Sequence, residues 1–210
     1  MDYVNESDID IFYKPSRIVI SGVSGAGKSS LCVNLIHKYH KKFKKIVVLG
    51  SSLENVSQIP NITRDDNFDP LSNPDELTGD NILMVFDDVM FEPELIKRAS
   101  VNFIRGRPQN ISSIFICHNL FMANTYFRTI SLNASHIFIL RMRDARQIQF
   151  FSKSFLCDSQ IDPFLKLYRR EVLLKKYGYM LIDFNAGFES PIKIRNSLFS
   201  ETTYKRAFVL

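Results

Sequence analysis

Cysteine is scarce in this 210-residue chain: Cys32, Cys117 and Cys157 stand far apart, without the close spacing of a metal cluster or disulfide framework. All three fall in apolar stretches and read as reduced core residues of an intracellular protein. No apolar run approaches the roughly 20 residues needed to cross a bilayer. The N-terminal Met1-Asp2-Tyr3-Val4-Asn5-Glu6-Ser7-Asp8 is acidic and lacks the basic and apolar segments of a secretory signal. Triplets such as Asn61-Ile62-Thr63 therefore carry no glycosylation meaning. Internal repeats and low-complexity tracts are missing too, so the expectation is one domain over 1–210, with its core at about 15–185. Charge is equally undramatic. Lys and Arg outnumber Asp and Glu by 27 to 22, an excess that suits a polyanionic partner without requiring one.

Short β-branched and aliphatic runs recur at 17–23, 45–50, 82–89, 113–118, 136–141 and 179–184. Several are apolar throughout, as strands covered on both faces are. Between them the sequence predicts helices at 28–42, 93–105, 125–133, 145–155 and 163–177, with prolines where helices can begin. This alternation predicts an α/β fold: a mainly parallel sheet covered by helices on both faces. The Asn-, Asp-, Pro- and Ser-rich stretch 55–79 reads as a surface excursion, and 192–210 as a terminal strand and tail.

One motif organises the chemistry. Gly22-Val23-Ser24-Gly25-Ala26-Gly27-Lys28-Ser29 matches G-x-x-x-x-G-K-[ST] and lies between a predicted strand and a predicted helix, both contexts that a P-loop requires. A chance match in a chain of this size is expected on the order of once in a hundred sequences. Glycines allow such a loop to wrap phosphates with its N–H groups inward, and the helix dipole adds to the attraction. Lys28 would neutralise the β and γ phosphates and Ser29 would offer a hydroxyl to Mg²⁺, with Ser30 completing the ATP-binding stretch.

A metal at that loop needs an acid from a neighbouring strand. Ile82-Leu83-Met84-Val85-Phe86-Asp87-Asp88 provides a Walker B pattern: Asp87 to hold Mg²⁺, directly or through water, and Asp88 to polarise the attacking water. Paired acids also end ordinary strands at turns and caps. Their functional reading therefore depends on the P-loop. The second acid favours hydrolysis over phosphoryl transfer to another acceptor. A third run, Ser113-Ile114-Phe115-Ile116-Cys117, ends at His118-Asn119, where either residue would face the nucleotide crevice and orient water or sense the γ-phosphate. A polar turn is the competing explanation.

Further residues resemble a known family, the FtsK/HerA-type genome-packaging ATPases of double-stranded DNA viruses, especially those of polintons and virophages and more distantly the poxvirus packaging ATPase. The likeness covers about 17–155. It rests on Phe103-Ile104-Arg105-Gly106, Asn110-Ile111-Ser112, His118-Asn119-Leu120-Phe121, Arg128-Thr129-Ile130-Ser131-Leu132-Asn133, and Arg143-Asp144 with Gln147. Two departures are His118, where the family usually has Gln, and Arg107-Pro108-Gln109 in place of a His pair. The resemblance implies an additional-strand P-loop fold and a homo-oligomeric ring that spends Mg-ATP to drive double-stranded DNA into a capsid. It implies residence in host cytoplasm or nucleus, or association with the virion.

An arginine reaching a neighbour's γ-phosphate stabilises transition-state charge. The pool is Arg105, Arg107, Arg128, Arg141 and Arg143, with Arg128 and Arg105 favoured. The basic run at 37–45 fits a helix C-terminus better than a DNA contact. Two rivals remain at this level: a small-molecule P-loop kinase, and a nucleotide-gated DNA- or capsid-binding protein with little turnover.

Overall fold

The computed structural model describes residues 3–5, 10–50, 53, 59–71, 80–121, 123–185, 193–195 and 206–209. Its strands are β1 (Tyr3–Asn5), β2 (Arg17–Ser21), β3 (Lys45–Gly50), β4 (Ile62–Arg64), β5 (Ile82–Asp87), β6 (Ile111–Cys117), β7 (His136–Ile139), β8 (Met180–Asp183), β9 (Lys193–Arg195) and β10 (Arg206–Val209). They form one sheet in the order β1-β10-β9-β8-β7-β2-β6-β5-β3-β4. The six strands from β7 to β4 run parallel, while β8, β9, β10 and β1 continue the sheet antiparallel. β6 lies between β2 and β5, the additional-strand arrangement.

Alternation along the central strands divides two cores. Val19, Val47, Phe86, Phe115 and Ile137 face one side, where α2 (Pro93–Arg105), α3 (Thr125–Asn133), α4 (Ala145–Phe155) and α5 (Asp158–Tyr168) pack Phe103, Phe127, Phe151 and Phe164 against them. Ile18, Ile20, Val48, Val85 and Ile116 face the other, beneath Leu31, Leu35 and Ile36 of α1 (Lys28–Tyr39). Helices thus cover both faces, which is why the central strands are uniformly apolar.

Local chemistry sets most helix limits. Pro93 opens α2, and Gly106 follows it where a Cβ would lie 2.6 Å from Asn102 O. Asn124 caps α3, its Oδ1 accepting from Tyr126 N and Phe127 N, and Asp144 caps α4 through Arg146 N.

Several sequence expectations are corrected. α5 begins at Asp158, five residues before Pro163, because Gln160 Oε1 accepts from Cys157 N at 3.0 Å and fixes an earlier start. It passes at Tyr168 into a π-helical turn, Arg169–Leu173. Cys157 is exposed, unlike the buried Cys32 and Cys117. The excursion contains the edge strand β4, although 54–58 and 72–79 lie outside the described residues. The terminal segment provides two strands, with 196–205 outside the described residues. The basic run sits at the sheet edge away from the P-loop, where Lys42 pairs with Asp10, Lys44 with Asp80, and Lys45 Nζ stands 3.6 Å from the Phe68 ring centroid.

Candidate nucleotide site

The loop from Gly22 to Gly27 joins the carboxyl end of β2 to α1. Gly25 (φ 75°) and Gly27 (φ 96°) occupy left-handed backbone, the conformation glycine enters without steric cost. Gly22 answers a different need: a Cβ there would lie 2.7 Å from Leu140 Cβ. The loop is fastened to both neighbouring strands, since Gly22 N–H donates to Cys117 O at 3.2 Å and Val23 N–H to Arg141 O at 2.9 Å. α1 begins with neither a capping side chain nor an acidic residue in its first turn. Its N-terminal dipole therefore faces the loop with no acidic side chain of its own first turn set against it.

Lys28, only 8% exposed, turns back over the loop. Its Nζ donates to Val23 O at 3.1 Å and lies 3.2 Å from His118 Nδ1; His118 Nε2 in turn lies 3.3 Å from Asp88 Oδ1. An ammonium only donates, so Nδ1 accepts and the ring proton sits on Nε2, directed at the carboxylate. Burial lowers the Lys28 pKa, with Cys117, Asp88 and Asp87 acting in the opposite direction. The Cys117 thiol is itself pushed up to about 12 by burial.

The two aspartates diverge. Asp87 is 2% exposed and stands in register between Gly50 of β3 and Ile116 of β6. Gly50, at φ 94°, permits that approach, because a Cβ would fall 2.0 Å from Asp87 O. Asp88 is in left-handed backbone (φ 57°), which aims its carboxylate out of the strand toward His118. Asn119 turns away, its Oδ1 accepting from Gln147 Nε2 at 2.9 Å while Gln147 Oε1 accepts from Leu120 N. Of the two strand-end candidates, His118 is therefore the one inside the cluster.

The arginines separate by position. Arg105 and Arg107 lie where α2 enters β6, and β6 spans roughly 20 Å to the P-loop edge, so neither belongs to this cluster. Arg128 is in the first turn of α3 and borders a groove of about 650 Å³ lined by Phe121, Phe127, Leu132, Phe150 and Phe155. Leu132 (63%) and Phe150 (58%) are exposed there. Arg141 reaches across β7's end, its Nη2 donating to Leu173 O at 3.1 Å. Lys175 and Tyr177, which no sequence motif singles out, join Arg141 around a second cavity beside the loop. No spacing rule marks a turn residue that the fold alone brings to the loop.

The donors that the sequence leads one to expect for a metal, the Ser29 hydroxyl and the Asp87 carboxylate, are both hard oxygens. Among the described residues no group of three His, Cys, Asp or Glu is assembled to hold a metal. That sparse set fits Mg²⁺, which keeps waters and phosphate oxygens as most of its ligands. These observations decide the fold. It is that of a P-loop NTPase.

Comparison with solved structures agrees. The genome packaging NTPase B204 from Sulfolobus turreted icosahedral virus 2, in complex with sulfate, is similar with a TM-score of 0.55 at 14% identity, over 87% of this chain and 96% of that one. The DNA-packaging ATPase B204 from Sulfolobus turreted icosahedral virus gives 0.52 at 16% identity, over 86% and 97%. EssC (ATPases 2 and 3) from Geobacillus thermodenitrificans gives 0.51 at 15% identity, over 63% and 33%. No protein-family description and no curated protein matches the chain.

Proposed function

We propose that this protein is a Mg-ATP-hydrolysing motor that translocates double-stranded DNA and packages a viral genome, of the polinton and virophage kind, into a capsid. The observation that carries the proposal is the Lys28–His118–Asp88 chain beside the buried Asp87, assembled at the ends of β2, β5 and β6. The sequence motifs shared with packaging ATPases and the similarity to B204 support the extension to DNA.

In this reading residues 22–30 wrap the triphosphate with backbone N–H groups. Lys28 exchanges Val23 O and His118 for the β and γ phosphate oxygens, and Ser29 and Asp87 hold Mg²⁺, which supplies charge neutralisation. Asp88 polarises the attacking water. His118 keeps its Nε2 proton on Asp88 while its Nδ1 loses the lysine, so the ring links nucleotide occupancy to the position of the general base. Arg128 completes a neighbour's site. Its place on an exposed apolar groove matches a subunit boundary in a homo-oligomeric ring, with a second copy covering Leu132 and Phe150. Capsid proteins are the further partners, inside the host cell or on the virion.

A turnover assay with and without duplex DNA tests this function. DNA-stimulated phosphate release supports it. Stimulation by a small metabolite with indifference to DNA would establish the kinase reading, and DNA binding with negligible turnover the assembly-protein reading.

A further inference from the structure

The metal side of the phosphate loop is defined by Asp87, Asp88 and His118, on strands β5 and β6 to one side of β2. On the other side stand β7 and β8. A nucleotide whose γ-phosphate lies among the acids must carry its nucleoside away from them. There a cavity of about 220 Å³ opens between the loop, Arg141 and the turn leading into β8. It is smaller than the roughly 300–1,000 Å³ that enclose a whole small ligand. A shelf for one end of a ligand already held by its phosphates would have this size.

The turn is built rather than incidental. It follows the π-helical turn Arg169–Leu173, a deviation concentrated at functional sites. Glu171, 2% exposed, pairs with Arg170 at 2.6 Å and with Lys175. Gly178 is confined, since a Cβ would lie 2.2 Å from Glu171 O. What this scaffold presents is Tyr177, an aromatic residue in left-handed backbone (φ 57°) that stays 63% exposed. Its ring lies against the phosphate loop, with Cδ1 3.3 Å from where a Gly27 Cβ would be, and Lys176 Nζ is 5.2 Å from its centroid. Strained backbone holding an exposed aromatic ring against a phosphate loop is a poor use of packing. It is a good platform for a nucleobase.

We infer that Tyr177 is the base-stacking residue of the nucleotide site, with Arg141 and Lys175 lining the same shelf toward the ribose and α-phosphate. The inference rests on the nucleotide-binding part of the proposed function. Calorimetric titration of the full chain with Mg-ATP and, separately, with inorganic tripolyphosphate tests it. Tyr177→Ala weakens ATP binding roughly ten-fold, within the range of base–aromatic stacking, and leaves tripolyphosphate unchanged. Tyr177→Phe binds ATP like the parent. Tyr177→Gly, which accepts the positive φ without strain, keeps the thermal stability and loses ATP affinity as the alanine variant does. Unchanged ATP affinity in Tyr177→Ala, or equal loss of both ligands, overturns the inference while leaving the phosphate site standing. A parent protein that binds neither ligand overturns the phosphate site itself, and this inference with it.

Discussion

At φ 57° the Asp88 backbone lies in a region that Asp and Asn enter more readily than other side chains. Asp88→Asn can therefore keep the turn, and its amide oxygen can still accept from His118 Nε2, so the change removes a charge and little else. Mg-ATP binding is expected to persist while hydrolysis falls by about 10²–10⁴. Asp87→Ala instead weakens Mg-dependent binding, and equal effects of the two changes on affinity would refute their separate roles. Lys28→Ala abolishes turnover. Its melt should shift by no more than about 4–8 °C, because it loses the two donors to Val23 O and His118 Nδ1, each worth roughly 1 kcal/mol. Turnover at the parent rate would contradict the lysine's role. The sequence could single these residues out because phosphate and metal chemistry restricts both type and spacing. It could not single out Tyr177, since its role depends on a left-handed turn and a strand order that no local pattern encodes. The choice between His118 and Asn119 likewise required Gln147, 28 positions further along the chain, to draw Asn119 aside.

Among elements, the β7–β8–β9 junction buries a polar group of its own. His136, 1% exposed, has its Nδ1 3.0 Å from Ser135 Oγ and its Nε2 3.4 Å from Asp183 Oδ1; Asp183 Oδ2 is 3.3 Å from Arg195 Nη2. Burial, with a smaller contribution from Lys14, pushes the His136 pKa down to about 4 from 6.5. Asp183 would favour a protonated ring, but its carboxylate is shared with the Arg195 guanidinium, so burial wins. Between pH 6.5 and 4 the unfolded chain binds more protons at this residue than the native one, so stability rises with pH across that window and is lost as pH falls. Urea unfolding should show a loss of up to about 3 kcal/mol from this residue. His136→Gln should flatten the slope, and an unchanged slope would assign the effect elsewhere. Strands β2, β3, β5, β6, β7 and β8 and the limits of α2, α3 and α4 could be read in advance because apolar runs, Pro93, Asn124 and Asp144 are local signals, whereas the short edge strand β4 could not. The start of α5 could not, because Pro163 looks like a first-turn proline until Gln160 is seen to cap Cys157.

For the whole molecule the proposal requires neighbours. If Arg128 acts across a boundary, Arg128→Ala binds ATP yet does not turn it over, and activity of the parent depends on protein concentration. Mixing Arg128→Ala with Lys28→Ala should restore part of the activity, because some junctions then pair an intact lysine with an intact arginine. No recovery, together with full activity of Arg128→Ala alone, would remove this residue and leave Arg105 and Arg107, at the opposite sheet edge, as the next to test. The central claim is that ATP hydrolysis at this site is coupled to a grip on duplex DNA. The most direct measurement is steady-state phosphate release titrated with duplexes of unrelated sequence at several salt concentrations. The account predicts stimulation by every duplex, with an apparent affinity that falls steeply as salt rises, since a motor grips phosphates and reads no bases. Hydrolysis that proceeds at the same rate with and without DNA at low salt would contradict it.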